Sequence, residues 1–386
     1  MKAVEEFKAY VAKVQESDVY ENPKAFALGV KRTKNGKVLD AYFPLINWES
    51  SYGTAAVVAS ELNVVAGKNA TYTISTEQLE NIFACFEPFV AEIEKHHNVA
   101  LMKSLLENYS NEHDYYQNEL VAYFSYDDSQ DVEDAVEGYF KLQAISQRHV
   151  LPHGTNLNGI FGKLNNIAWT DKGPVLPEDL AAETTKYLFS SPLTVSHVDK
   201  FPYLVNYHVP SGVRIASGSQ VRLGAYLGEG TTIMPAGYVN FNAGTKGNAM
   251  VEGRVSGGVV VDVNSDIGGG ASIMGTLSGG NKNVISIGKE CLLGANAGTG
   301  ISLGDGCTIA AGVYVTAGAK ISLYDLEKQP VDINGNQVAE GQNVVKGMDL
   351  NGKNNLLFIQ DSTTGKLFCQ PNPKTIELNA ALHSND

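Results

Sequence analysis

The sequence predicts a mixed α/β N-terminal region, then a parallel β-helix of six-residue repeats, then a short C-terminal β extension. Three observations lead there. Of the 39 glycines in 386 residues, 25 fall between positions 209 and 322, about three times the usual frequency of roughly 7%. Within that stretch aliphatic residues recur every six positions. Upstream of it the apolar spacing is that of helices and strands, and glycine is no commoner than usual.

In chain order, residues 2–16 read as an amphipathic helix. Residues 76–107 read as one or two helices introduced by Ser75, with Gln78 three positions on in the capping-box arrangement. Pro88 bends or splits that stretch. Residues 131–147 and 177–188 are further helices, the second opening on Pro177. KVLDAYFPLINW (37–48) and ELVAYFSY (119–126) read as strands. Together these make residues 1–205 an acidic α+β domain.

Counting in sixes from Ile215 reaches Val221, Leu227, Ile233, Val239, Thr245, Val251, Gly257, Val263 and Gly269, and seven of the ten positions are aliphatic. A second register, displaced by two, picks up Val255, Val261, Ile267 and Ile273 and returns as Leu303, Ile309, Val315 and Ile321. A period of six fits neither a 3.6-residue helix nor an isolated hairpin. It fits a short strand whose alternate side chains face inward, followed by a turn, with three such repeats completing one rung of a prism. Glycine relieves the corners where φ is positive, and stacked rungs bury an aliphatic column that no single repeat buries alone. A glycine-rich linker would lack the periodic Ile, Val and Leu. Known hexapeptide-repeat coils wind left-handed, against the usual crossover hand, so a left-handed parallel β-helix is expected over 206–322. Beyond it, VVKGMDLNGKNNLLFIQDSTTGKLFCQ alternates turn signals such as Asn351-Gly352 with apolar runs, a short antiparallel extension within 323–386.

Charge excludes some functions. Lys and Arg number 29 against 42 Asp and Glu, a net charge of −13 that repels a phosphate backbone, so no nucleic-acid partner is expected. The coil segment holds seven basic and six acidic residues, so the acidity lies outside it. No apolar run approaches the roughly 18 residues of a membrane span, and the start MKAVEEFKAYVAK mixes charges where a signal peptide is apolar. A cytoplasmic protein without membrane contact is expected. Cys85, Cys291, Cys307 and Cys369 lack zinc-knuckle spacing and are too sparse for a disulfide framework, so they read as reduced, buried fillers.

The eight histidines are 96, 97, 113, 149, 153, 197, 208 and 383, and none lies between 209 and 382. That removes a coil zinc site of three imidazoles and a general base that is a coil histidine. His96 and His97, as neighbours on a helix, point about 100° apart. A base from the coil is then one of six acids. Glu229, Asp262, Glu290 and Asp305 stand in glycine-rich or polar turns, where a solvated corner is the default. Glu252 differs: it follows Ala249-Met250-Val251 and precedes Gly253-Arg254, a setting between apolar groups and a guanidinium of the kind in which acids take up catalytic roles.

The runs Asn240 to Thr245, Met250 to Ser256 and Gly268 to Gly280 carry a resemblance, as do Val284 to Lys289, Cys291 to Asn296, Tyr314 to Gly318 and Asn355 to Phe358. Over roughly residues 205–365 they resemble the tetrahydrodipicolinate N-succinyltransferases of bacterial lysine biosynthesis, in the branch known from actinobacteria and pseudomonads. The resemblance implies transfer of succinyl from succinyl-CoA to the amine of ring-opened tetrahydrodipicolinate. Glu252 matches the family's essential acid, acting as a general base or through an acyl anhydride. Gly275 matches its backbone N–H donor to the oxyanion, a corner glycine being the structural alternative. For succinyl-CoA the resemblance falls on Arg254, Gly269, Ser272, Ala295, Ala310, Ala311, Gly318, Lys346, Ile359, Gln360, Asp361 and Ser362. Arg254 is suited to the succinyl carboxylate and Lys346 to the anionic cofactor. Members of the family carry acids on a trimer axis that hold magnesium. The corresponding positions here are Ser219 and Ala236, so no metal is expected. A three-sided column packs threefold, which implies a homotrimer with active sites between chains. Two other readings fit the residues: a hexapeptide-repeat acyltransferase with another donor or acceptor, and a non-catalytic trimeric scaffold.

Overall fold

The structure, a computed structural model, describes residues 3–182, 193–277 and 283–373. The chain divides into two compact units: Met1–Ala144 with Thr155–Pro202, and Ile145–Gly154 with Tyr203–Asp386.

The first unit begins with α1 (Val4–Gln15), β1 (Ala25–Lys34), β2 (Lys37–Trp48) and α2 (Tyr52–Leu62), followed by β3 (Ala70–Ile74) and α3 (Thr76–Cys85). A 3₁₀ segment (Glu87–Lys95), α4 (His97–Asn108), β4 (Gln117–Ser125) and α5 (Ala135–Ser146) come next. The expected helix over 76–107 is thus broken at Pro88, which opens the 3₁₀ turn because its ring forbids the preceding helical hydrogen bond. His96 precedes α4 and is not a neighbour of His97 within one helix, as the sequence reading had it. Ser75 caps α3 in a reciprocal box: its hydroxyl accepts from the Gln78 N–H at 3.1 Å and its own N–H donates to Gln78 Oε1 at 2.9 Å.

Strands β2-β1-β4-β3 form an antiparallel sheet. Phe26, Leu28, Leu120 and Phe124 on one face pack with Val57, Val58, Leu79, Ile82 and Met102 from α2, α3 and α4. On the other face Phe43 and Tyr123 meet Phe140 of α5. There the buried Gln143 amide bridges the Ala41 carbonyl and the Phe43 N–H. A second sheet pairs β5 (Ile167–Thr170) with β6 (Gly173–Val175) and with β7 (Val195–Asp199). The helix expected over 177–188 is present at Pro177–Ala182, and residues 183–188 lie outside the described residues.

The second unit is a parallel β-helix with three walls of two-residue strands. The first wall stacks Arg214–Ile215, Thr232–Ile233, Met250–Val251, Asp266–Ile267, Leu292–Leu293 and Thr308–Ile309 in parallel register. The second stacks Tyr238–Val239, Arg254–Val255, Ser272–Ile273, Gly298–Thr299 and Tyr314–Val315. The third stacks Tyr226–Leu227, Gly244–Thr245, Val260–Val261 and Ser286–Ile287. The second residue of each strand points inward, and Leu227, Ile233, Val239, Val251, Val255, Val261, Ile267, Ile273, Leu293 and Ile309 are all buried in one column. Gly224, Gly258, Gly270, Gly306 and Gly312 take positive φ at turns, as do Asn242, Asn248, Asn264, Asn296 and Asn355, so asparagine shares the corner work assigned to glycine.

The two hexad registers have a structural cause. Ile233 pairs with Ile215 and with Val251, eighteen residues to either side, but Val251 pairs with Ile267, only sixteen away. Two residues are dropped between Val251 and Val255, at Glu252-Gly253, and inward positions from Val255 to Ile273 follow the second register; Ile287, Leu293 and Thr299 stand in the first again, and a second drop between Thr299 and Leu303 restores the second. Val263, Gly257 and Gly269, which the first count includes, are half-buried and stand outside the column. The extension adds strands to the first wall: Leu356–Gln360 continues it in parallel beside Thr308–Ile309 and turns back antiparallel into Leu367–Pro371. Lys320–Leu323 pairs in parallel with that return strand and antiparallel with Val344–Lys346. Cys291, Cys307 and Cys369 are free and buried in the column, whereas Cys85 is half-buried on α3.

Candidate active site

The dropped residues place an acid on the edge between the first and second walls. Glu252 is fixed by its backbone, donating to the Ile267 carbonyl at 2.8 Å and accepting from the Gly270 N–H at 3.2 Å. Gly253 beside it is compelled by close packing, since a Cβ there would sit 2.4 Å from the Ala271 carbonyl oxygen. The Glu252 carboxylate reaches along the edge, and Oε2 would lie 3.4 Å from a Cβ on Gly269.

Above it the same edge carries Gly269, Ala295 and Ala311 at successive turns. Asn296 donates to the Gly269 carbonyl at 2.8 Å, Gly312 to Ala295 at 2.9 Å and Ala310 to Phe358 at 2.9 Å, so Ile359 follows next. Among the described residues the amides of Gly269, Ala295 and Ala311 have no acceptor. The edge is therefore a row of small residues with free N–H donors one rung apart, roughly 4.8 Å, running up from a carboxylate.

Outward on the second wall, Arg254 and Ser272 are paired strand neighbours, and the Arg254 guanidinium donates to Ser272 Oγ at 2.5 Å. Among the described residues no carboxylate pairs with Arg254, which is exposed. Two rungs on, the Tyr314 ring lies over Gly298, where a Cβ would be 2.1 Å from it. Asp262 and Asp305 serve the structure: the first is paired with Lys246 at 2.7 Å and the second accepts from the Lys289 N–H at 2.8 Å.

The far edge of the second wall holds Gly275. A Cβ on it would be 2.9 Å from the Gly257 carbonyl oxygen one rung below. Its own carbonyl accepts from Ile285 at 3.2 Å, and its N–H has no acceptor among the described residues. Gly318 lies on the same edge, exposed. The segment with Lys346 docks there through Gly347, which donates to the Ala319 carbonyl at 2.8 Å. Within one chain, then, Glu252, Gly269, Ala295, Ala310 and Ala311 gather on one edge, Arg254 and Ser272 on the wall, and Gly275, Gly318 and Lys346 on the other edge. Gln360 follows Ile359, its amide donating to the Gly365 carbonyl at 3.0 Å. Asp361 and Ser362 stand at the hairpin tip. There the Thr363 hydroxyl and amide hold the Asp361 carboxyl down to about 2, and it organises the turn. Ser219 faces Ser217 at 2.9 Å, and Ala236 offers only a methyl. Ser278, Gly279 and Gly280 of the motif lie outside the described residues.

One residue at the coil escaped the sequence reading. His153 belongs to the segment Ile145–Gly154 and its Nε2 stands 2.7 Å from the Gly258 carbonyl oxygen. The coil thus has a histidine on its surface although none occurs between residues 209 and 382, and no local pattern signals it.

Residues 5–162 match the family described as tetrahydrodipicolinate N-succinyltransferase N-terminal, residues 164–203 its middle region, and residues 284–317 the hexapeptide repeat of succinyl-transferase. A 2,3,4,5-tetrahydropyridine-2,6-dicarboxylate N-succinyltransferase of Vibrio cholerae is 46% identical, covering 94% of this chain and 99% of that one. The chain belongs to the tetrahydrodipicolinate N-succinyltransferase family. Its members from Pseudomonas aeruginosa and Campylobacter jejuni are 42% and 40% identical, over 94% and 98% of this chain and 98% and 99% of their own. A Campylobacter jejuni crystal structure, described as a 2,3,4,5-tetrahydropyridine-2-carboxylate N-succinyltransferase, superposes with a TM-score of 0.86 at 36% identity, covering 97% of this chain and 98% of that one. The family is one of transferases, and the chain is an enzyme of that class.

Proposed function

We propose that the chain transfers the succinyl group of succinyl-CoA to the amine of ring-opened tetrahydrodipicolinate, giving N-succinyl-2-amino-6-oxopimelate and free CoA in lysine and diaminopimelate biosynthesis. It does so in the cytoplasm as a homotrimer of left-handed coils, without a metal, nucleic acid or membrane. The chain is read as an N-terminal domain (1–205), a coil (206–322) and an extension (323–386).

The amine nitrogen attacks the thioester carbon, its proton passes to the Glu252 carboxylate, the carbonyl oxygen gathers charge against the Gly275 N–H, and the C–S bond breaks with the sulfur taking up a proton. Glu252 serves equally as the nucleophile of an acyl-anhydride route. Arg254 with Ser272 holds the succinyl carboxylate. The free amides along Gly269, Ala295 and Ala311, with Ala310, Ile359 and Gln360, line the pantetheine arm. Gly318, Lys346, Asp361 and Ser362 complete the cofactor contacts. The observation that supports this most is that Glu252 and Gly275 occupy opposite edges of one wall. An acid and an oxyanion donor so separated serve one reaction when one protomer's edge meets its partner's, which is how threefold packing of three-sided columns brings them together.

Release of CoA, followed with a thiol reagent, tests both halves of the reading. Succinyl-CoA is expected to outcompete acetyl-CoA, and equal rates with the two donors would remove the donor assignment. Glu252→Gln is expected to lower turnover about 10²- to 10⁴-fold, the usual contribution of a positioned proton acceptor. Undiminished turnover would take Glu252 out of the chemistry.

A further inference from the structure

We propose that His153 is a positioning residue of the acyl-transfer site, clamping the turn on which Gly275 rests; this builds on the reading of Gly275 as oxyanion donor. The clamp has two arms. The His153 backbone N–H donates to Asn242 Oδ1 at 2.8 Å, and its Nε2 lies 2.7 Å from the Gly258 carbonyl oxygen. A carbonyl only accepts, so Nε2 is the donor. Asn242 in turn accepts from the Gly258 N–H at 3.1 Å through its own carbonyl and donates its N–H to Gly224 at 2.7 Å. Both polar groups of Gly258 are thus held by two residues that are bonded to each other.

Gly258 has φ +85°, and a Cβ there would stand 3.4 Å from the imidazole Cε1, so the ring packs onto bare backbone. The preceding residue, Gly257, presents the carbonyl oxygen that Gly275 packs against one rung above. The direction of the Gly275 N–H, which has no acceptor among the described residues, therefore depends on where the Gly257-Gly258 turn lies. His153 is carried in by Ile145–Gly154, which is anchored independently: the Gly224 N–H donates to Ser146 Oγ at 2.9 Å, and Arg148 donates to the Leu227 carbonyl at 2.6 Å and to the Ser211 carbonyl at 2.8 Å. The imidazole is at the end of a fixed arm, and removing it frees one turn without loosening the segment. Because catalytic donors must be held within about 0.5 Å, and misplacement by about 1 Å costs up to about 100-fold, a partial loss of rate is expected with binding intact.

The test uses the full-length enzyme and separates kcat from KM. His153→Ala is expected to lower kcat about tenfold with KM for succinyl-CoA within about twofold. His153→Gln, whose amide reaches the Nε2 position, is expected to recover much of that loss. Should His153→Ala fail to assemble, His153→Phe keeps the ring's bulk without the donor and is expected to behave as the alanine variant was meant to. A native kcat in the donor-less variant, a rise in KM alone, or equal losses in the glutamine and donor-less variants would each overturn the proposal. Glu252→Gln assayed beside them keeps the two readings apart: retained turnover there takes Glu252 out of the chemistry and leaves the clamp standing, while its loss together with unimpaired His153 variants refutes only the clamp.

Discussion

Two glycines with similarly close neighbours demand different things of the sequence. A Cβ on Gly294 would meet the Ala311 backbone nitrogen at 2.5 Å, and one on Gly298 would meet the Tyr314 ring at 2.1 Å. Backbone in the ladder cannot retreat, whereas an exposed tyrosine swings aside. Gly294→Ala is expected to cost about 1–3 kcal/mol and Gly298→Ala less than about 0.5 kcal/mol, as read from denaturant midpoints. A second residue-level effect concerns His149 and His208. Burial lowers both imidazoles from their ordinary value of 6.5, helped by His208 beside the first and Arg148 beside the second. The unfolded chain takes up protons near pH 6.5 that the folded chain refuses until lower pH, so the unfolded state binds more protons and stability falls as pH drops through that window. The melting temperature is expected to be lower at pH 5.5 than at 7.5, with a shallower slope in His208→Gln. At this scale Glu252 is singled out as a candidate by its apolar and basic neighbours in the sequence. His153 is not, because its partners Asn242 and Gly258 are some ninety and more residues away in sequence.

Among the elements, those with local signals were readable. Ser75 and Gln78 announce α3, and Ser75→Ala is expected to destabilise by about 0.5–2 kcal/mol, measured by urea unfolding. Strand β2 matches the expected KVLDAYFPLINW end to end. Strand β1 was silent because its first five residues are all buried and show no alternation. Helix α2 was silent because six of its eleven residues, all Ala, Val or Leu, are buried, so no amphipathic stripe marks it. The coil was readable to the level of register: the switch that counting in sixes detects is the two-residue contraction at Glu252-Gly253. What counting cannot supply is that the contraction falls at the candidate acid, since burial periodicity records inward residues and is blind to what the turn displays.

For the whole molecule, the placement of Glu252 and Gly275 on opposite edges yields a prediction about assembly. The native protein is expected to sediment as three copies of a 41.4 kDa chain. Glu252→Gln and Gly275→Ala are each expected to lose most turnover as homotrimers, the second because its new methyl group presses on the Gly257 carbonyl. Trimers mixed from the two variants are expected to regain part of it, because some sites then combine the intact Glu252 edge of one chain with the intact Gly275 edge of another. No recovery on mixing would place both groups of each site in one chain. The threefold packing this prediction assumes is an expectation drawn from the repeat, as a column with flat walls.

The excursion of Ile145–Gly154 into the β-helical unit also governs how the polypeptide can be dissected. The chain leaves one unit after Ala144, returns to it at Thr155 and leaves again after Pro202, so no single cleavage yields both units whole. A fragment starting at Tyr203 would forfeit the donors now reaching Leu227 and Gly258 and the acceptor now serving the Gly224 amide, exposing the lowest rungs to fraying. Domain-by-domain expression is therefore a poor route to this enzyme, and a protease nick between residues 145 and 154 would damage the coil from a hundred residues away.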